Sequence, residues 1–170
     1  GRNNVKNNLD SIYNIYFHDI YRFLLSLCHN HHTAEDLVQE TFFRAYLNIE
    51  NYEAENIKTW LFTVAHNAFI DYYRKHKRTD VKEQNFFLPL FDRKKTTEET
   101  VVIHDEIQEI IEMLKDLPEK HKYAVLLHDF HGLSYHEAAQ VMNVRQPYFK
   151  VLLFRGRQAI RNRKAGENER

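Results

Sequence analysis

Between Leu9 and Leu27 apolar side chains return every three or four residues, at Leu9, Tyr13, Tyr16, Ile20, Phe23, Leu24 and Leu27. That spacing predicts an amphipathic helix from about Val5 to Cys28. The polar run Asn30 to Thr33 breaks it. Thr33 is the expected N-cap of the next helix, with Glu35 and Asp36 in a first turn that favours negative charge. The second helix is predicted from Ala34 to about Ile49, with Leu37, Val38, Thr41, Phe42, Ala45 and Ile49 inside and Phe43 and Leu47 on the outer face. A polar loop, Asn51 to Asn56, leads to a third helix from about Ile57 to His76. Wound at 100° per residue, this helix has three faces. Leu61, Val64, Ala65, Ala68 and Tyr72 form an apolar one, and Phe62, His66, Phe69 and Tyr73 an aromatic one. Thr63, Asn67, Asp71, Arg74 and Arg78 form a polar one. One apolar face suffices for a core, so the aromatic face needs a purpose of its own.

The periodicity lapses from Thr79 to Thr100, which reads as a linker, although its Phe86 to Phe91 stretch (FFLPLF) is apolar enough to dock on something. Helical spacing then resumes. Ile103, Ile107, Ile110, Ile111 and Leu114 stripe one helix; Pro118 opens another, striped by Tyr123, Leu126, Leu127 and Phe130. Gly132 suits a helix C-terminal cap, and Ser134 to Glu137 has the Ser-x-x-Glu form of a capping box. A short helix through Ala138, Ala139 and Val141 is followed by the turn Met142 to Val144 and a last helix from about Gln146 to Arg163. The expected fold is all-α: two small helical domains, 1–79 and 102–170, joined by a flexible linker, 80–101.

Composition agrees with helices. Four Gly and three Pro in 170 residues leave few turn-formers, and 43% hydrophobic residues are enough for a core. A single cysteine, Cys28, cannot form an internal disulfide; with no signal peptide to be read, a reducing cytosol is expected. No uncharged apolar run approaches the roughly 20 residues that span a bilayer, so no direct membrane insertion is expected.

Charge changes the picture. The chain carries 24 basic and 24 acidic residues, yet Arg145 to Lys164 holds seven Lys and Arg and no Asp or Glu. A short helix, a turn and a longer basic helix form the helix-turn-helix pattern. Phe149, Leu152 and Leu153 face inward there, leaving Arg145, Gln146, Tyr148, Lys150 and Arg155 to read base edges and neutralise phosphates. The alternative is a basic amphipathic helix that binds an acidic protein or a membrane. A second basic cluster, Tyr72 to Arg78 (YYRKHKR), ends the third helix. Its cations suit a helix C-terminus in any case, while aromatics beside basic residues also suit stacking of unpaired bases. His29, His31 and His32 lack carboxylate or Cys partners at metal-ligand spacing, and no phosphate-binding or zinc-protease motif is present. Neither a catalytic site nor a cofactor is expected.

Three stretches together carry a resemblance. DIYRFLLSL, AEDLVQETFFRAY and IKTWLFTVAHNAFIDYYRKHKR resemble region 2 of the extracytoplasmic-function (ECF) sigma factors of the sigma-70 family. LPEKHKYAVLLHDFHGLSYHEAAQVMNVRQPYFKVLLFRGRQAIR is similar to their region 4. The resemblance implies a bacterial transcription initiation factor, not an enzyme. Its partners would be core RNA polymerase, through the clamp helices of the largest subunit and the flap, and promoter DNA, both duplex and non-template single strand. It implies cytoplasmic location and control by an anti-sigma factor, often membrane-anchored. Asp36, Gln39, Glu40, Thr41, Phe42 and Arg44 would dock on the polymerase. Asn51, Tyr52, Asn56, Asn67, Tyr73, Arg74, Lys75, Lys77 and Arg78 would recognise and melt the minus-10 element, with one base flipped into a pocket formed partly by the loop. Arg145, Gln146, Tyr148, Lys150, Arg155 and Arg157 would read the minus-35 element. Gly156 stands where the family has Ala and is expected to weaken the helix by up to about 1 kcal/mol. Arg145 stands where Ser is common, which alters a reading position. A helix-turn-helix regulator acting without polymerase and a helical interaction protein are the competing classes.

Overall fold

The computed structural model describes residues 2–52, 56–78 and 98–168. Among these, helices account for every regular element. The N-terminal half consists of α1 (Arg2–Cys28), α2 (His31–Leu47), a single 3₁₀ turn (Ile49–Asn51) and α3 (Ile57–Arg78). The C-terminal half consists of α4 (Glu98–Leu114), α5 (Glu119–Val125) with a π-helical turn continuing it (Leu126–Phe130), α6 (Tyr135–Met142) and α7 (Gln146–Asn168). The second start, Glu98, falls inside the stretch expected as linker; the apolar Phe86 to Phe91 run lies outside the described residues.

The α1 stripe is buried as its spacing predicts, with Ile20, Phe23 and Leu24 fully enclosed against α2 and α3. The start of α2 differs from expectation. Asn30, not Thr33, is the N-cap, because the Asn30 side-chain oxygen accepts the Thr33 N–H at 3.1 Å. His31 and His32 therefore lie in the first turn of α2. The capping box at Ser134 is present as expected, with Glu137 N–H donating to Ser134 Oγ at 3.1 Å and Ser134 N–H to Glu137 Oε1 at 2.9 Å. Between α5 and α6 the π turn closes with His131 N–H on Leu126 O, and Gly132 turns the chain at φ +73°. This insertion ends the helix and points His131 toward the N-terminal half.

The two halves pack directly, α3 on α6 and α1 on α4. Ile107 of α4 is buried, and Arg22 of α1 pairs with Glu106 at 3.5 Å. Buried side chains of both halves form one continuous core.

Gly156 has a reason that helix propensity does not reveal. A Cβ built there would stand 2.7 Å from Val125 Cγ2 and 3.1 Å from His121 O. The glycine lets α7 cross α5 at close range. Gly156→Ala gains helix propensity but must push apart a stiff β-branched side chain and a backbone carbonyl. The expected net result is a loss of about 1–2 kcal/mol in urea unfolding; a gain in stability would contradict the close crossing.

Candidate nucleic-acid and polymerase interfaces

The aromatic face of α3 is covered. Phe62, His66 and Phe69 are buried, with Tyr123 and His131 of the C-terminal half packed on them and Phe23 of α1 also against Phe62 at 5.1 Å. Tyr123 meets the His66 ring edge-on at 4.8 Å and Phe69 at 6.3 Å. The His131 ring packs on Phe62 at 4.9 Å and on Phe23 at 5.7 Å. In this arrangement the aromatic face leaves only Tyr73, at the basic end of the helix, open to solvent.

Polar contacts border the same surface. Asn56 Oδ1 accepts from Lys58 N–H at 3.0 Å, capping α3, while its Nδ2 donates to Glu137 Oε2. Thr59 Oγ1 donates to the same Glu137 oxygen at 2.8 Å, and Lys58 Nζ donates to the His131 carbonyl at 2.7 Å. The Glu137 carboxyl is held below its ordinary value first by the Ser134 N–H and next by the Thr59 hydroxyl. Burial lowers the His66 pKa to about 4, and neither ring nitrogen has a hydrogen-bond partner. Burial lowers His131 to about 3, with the Lys58 and Arg22 charges adding to it.

The predicted polymerase-facing residues divide. Asp36, Gln39 and Glu40 are exposed, whereas Thr41 and Phe42 are buried and cannot meet a partner. Thr41 Oγ1 donates to Leu37 O at 2.7 Å, and Phe42 packs edge-on against Tyr13. Winding places these two on the inner face that also carries Leu37 and Val38. Arg44 is committed within the fold, donating to Glu40 and to Asp71 of α3, each at 2.9 Å. In place of Thr41 and Phe42, the outer face of α2 exposes Phe43 (58%), Tyr46 and Leu47 (61%).

Between α2 and α3 lies an open cleft of about 410 Å³, lined by Arg44, Asn48, Trp60, Thr63, Val64 and Asn67. Tyr52 stands beside Trp60, ring centres 4.8 Å apart. The structure thus gathers predicted minus-10 residues Asn67 and Tyr52 around Trp60 and Asn48, which sequence reasoning missed. Trp60 was legible as the one tryptophan of the chain, next to the loop. Asn51 lies in the 3₁₀ turn and Arg78 is the last residue of α3. Arg74, Lys75 and Lys77 are exposed at the basic end, with Lys77 Nζ 5.8 Å above the Tyr73 ring.

On α7, Arg145, Tyr148, Lys150 and Arg155 are exposed and Gln146 is half-buried, while Phe149, Leu152 and Leu153 are buried as expected. Arg157 is the exception among the predicted minus-35 residues. Its Nε donates to Asp129 at 3.0 Å, tying α7 to the π turn. Val151 and Phe154 (64% exposed) stand beside Arg155 and were missed, because an apolar residue in a helix is read as core.

The family models for sigma-70 region 2 and sigma-70 region 4 match residues 12–79 and 107–160. An ECF RNA polymerase sigma factor of Bacillus subtilis (strain 168), SigM, is 42% identical over 90% of this chain and 93% of its own length. The chain belongs to the ECF sigma factors. α1 to α3 are its region 2, and α4 to α7 carry its region 4. Its fold is also that of two solved structures, one of them of a sigma factor. RpoE of Bartonella quintana, in complex with the anti-sigma factor NepR, matches with TM-score 0.70 at 23% identity, covering 91% of this chain and 95% of the other. CnrH, in complex with the cytosolic domain of CnrY, matches with TM-score 0.71 at 17% identity, covering 95% and 90%. Among the described residues no helix is long and apolar enough to cross a membrane, and no three His, Cys, Asp or Glu cluster to hold a metal.

The two buried histidines give the region 2 to region 4 contact a pH dependence. Their packed-state pKa values lie below the ordinary 6.5. Their burial is therefore fully tolerated above pH 6.5 and becomes unfavourable as pH falls from 6.5 toward 4. Each removes up to about 1.4 kcal/mol per pH unit. Urea unfolding is expected to show stability falling steeply between pH 6.5 and 5, and His66→Phe is expected to reduce that slope by about half. An unchanged slope in the variant would contradict the burial of a neutral His66.

Proposed function

We propose that this chain binds core RNA polymerase and directs it to promoters. The observation that carries the reading is the outer face of α2. Phe43, Tyr46 and Leu47 are exposed there beside Asp36, Gln39 and Glu40, and the core leaves these three apolar side chains uncovered. Apolar residues grouped in a charged surround are the composition of a protein docking surface. A duplex-binding regulator that works without polymerase would leave this face idle.

The remaining sites take the promoter. The cleft beside Trp60 is large enough for a base, with the indole offering stacking and the Asn67 and Asn48 amides offering hydrogen bonds to its edge. Arg74, Lys75 and Lys77 follow the strand's phosphates. On α7, Arg145, Gln146 and Lys150 read or neutralise duplex DNA, and exposed Val151 and Phe154 offer apolar contact to thymine methyl groups. Control by an anti-sigma factor is supported by the similar structure of RpoE, solved in complex with the anti-sigma factor NepR. It would hold the protein in the bacterial cytoplasm, at the membrane where that partner is anchored.

Asp36→Arg with Gln39→Ala is expected to weaken core polymerase binding at least tenfold and leave duplex binding alone. Lys150→Ala with Arg155→Ala is expected to do the reverse, flattening the salt dependence of duplex binding by about 1.8 in slope. Equal loss of both activities in either variant would mean misfolding or a wrong assignment. Asn67→Ala is expected to slow strand opening about fivefold in a permanganate footprint, by losing a contact worth about 1 kcal/mol; unchanged opening would remove Asn67 from the base site.

A further inference from the structure

The contact between the two halves contains hydrogen bonds that neither half needs for its own fold. Glu137 uses one carboxylate oxygen for its capping box and accepts Asn56 and Thr59 of region 2 on the other. Lys58 reaches across to the carbonyl of His131. Tyr123 covers the aromatic face of α3. Against these attractions stands His66, whose ring N–H is enclosed without an acceptor, an unfavourable state. The interface is bonded well enough to form and flawed enough to open.

Closure has a geometric consequence. Promoter elements centred 10 and 35 base pairs upstream lie about 25 base pairs apart, roughly 85 Å of duplex at about 3.4 Å per pair. With α3 in contact with α6, the base cleft and the helix-turn-helix cannot reach both elements at once.

We propose that the free chain shuts itself: region 4 is clasped on α3 through Glu137, Lys58 and Tyr123, and only the opened form engages both promoter elements, while the outer face of α2 is exposed even in the closed form. This rests on the sigma-factor reading above. Binding is then reduced by the fraction of molecules that are open.

Two variants on α3 move this equilibrium in opposite directions. Thr59→Glu sets a carboxylate against Glu137 in the closed form. In the open form it sits in the first turn of α3, three residues after its Asn56 cap, where Glu is favoured. Changing Thr59 rather than Glu137 leaves the capping box of α6 intact. His66→Phe removes the enclosed N–H and keeps the edge contact to Tyr123, favouring closure. Small-angle scattering of the free chain and titration of a promoter duplex carrying both elements, at fixed core polymerase, read the result. Thr59→Glu is expected to enlarge the radius of gyration and to occupy the two-element promoter at about five- to tenfold lower protein concentration, and His66→Phe to stay compact and need several-fold more protein. A Thr59→Glu chain as compact as the parent overturns the clasp, and one that expands without a change in affinity overturns the self-inhibition. If the parent gives no promoter-specific starts at saturating protein, the sigma-factor reading fails, and scattering still decides the clasp.

Discussion

The burial of the aromatic face of α3 under Tyr123 and His131 is the contact on which the arrangement of this protein depends. A helix with apolar residues on two sides must cover both. Leu61, Ala65 and Ala68 go to the N-terminal core, His66 and Phe69 meet region 4, and Phe62 lies between Phe23 and His131. The polar third face is thereby left outward, so that Asn67 reaches the cleft beside Trp60 and the basic end of α3 stays open. The same contact uses two local devices of region 4. The π turn aims His131, and the capping box places Glu137 at the rim.

Charge is segregated although it sums to zero. The basic run of α7 faces outward over most of its start, while α4 carries six Asp and Glu and no Lys or Arg. Such segregation creates a local positive field that attracts phosphate without making the whole chain stick to nucleic acid. Arg157 shows the limit of reading charge as binding, since its fork is already held by Asp129.

Much of this was legible in the sequence, because helical periodicity is a local property. The inner stripe of α1, the capping box, the Gly132 cap and the buried Phe149, Leu152 and Leu153 all follow from spacing alone. What was not legible depends on neighbours distant in the chain. Thr33 was favoured as the cap of α2 because it precedes an acidic turn, but Asn30 reaches the open N–H first. Thr41 and Phe42 were placed both on the inner face and among the docking residues, and winding decides for the former. Gly156 looked like a weakness until Val125 and His121 were found against it. The destination of the aromatic face depends on a helix some sixty residues later, and no pattern within α3 could have named Tyr123.

The most direct test is a distance measurement in the free chain. Spin labels placed by Glu50→Cys and Gln158→Cys, in a Cys28→Ser background, sit on exposed positions of the two halves. Pulsed dipolar spectroscopy near pH 7.5 is predicted to give one narrow distance distribution, the signature of region 4 held on α3. A broad distribution reaching to long distances would contradict the account, since the aromatic face of α3 would then be open to solvent in the free protein.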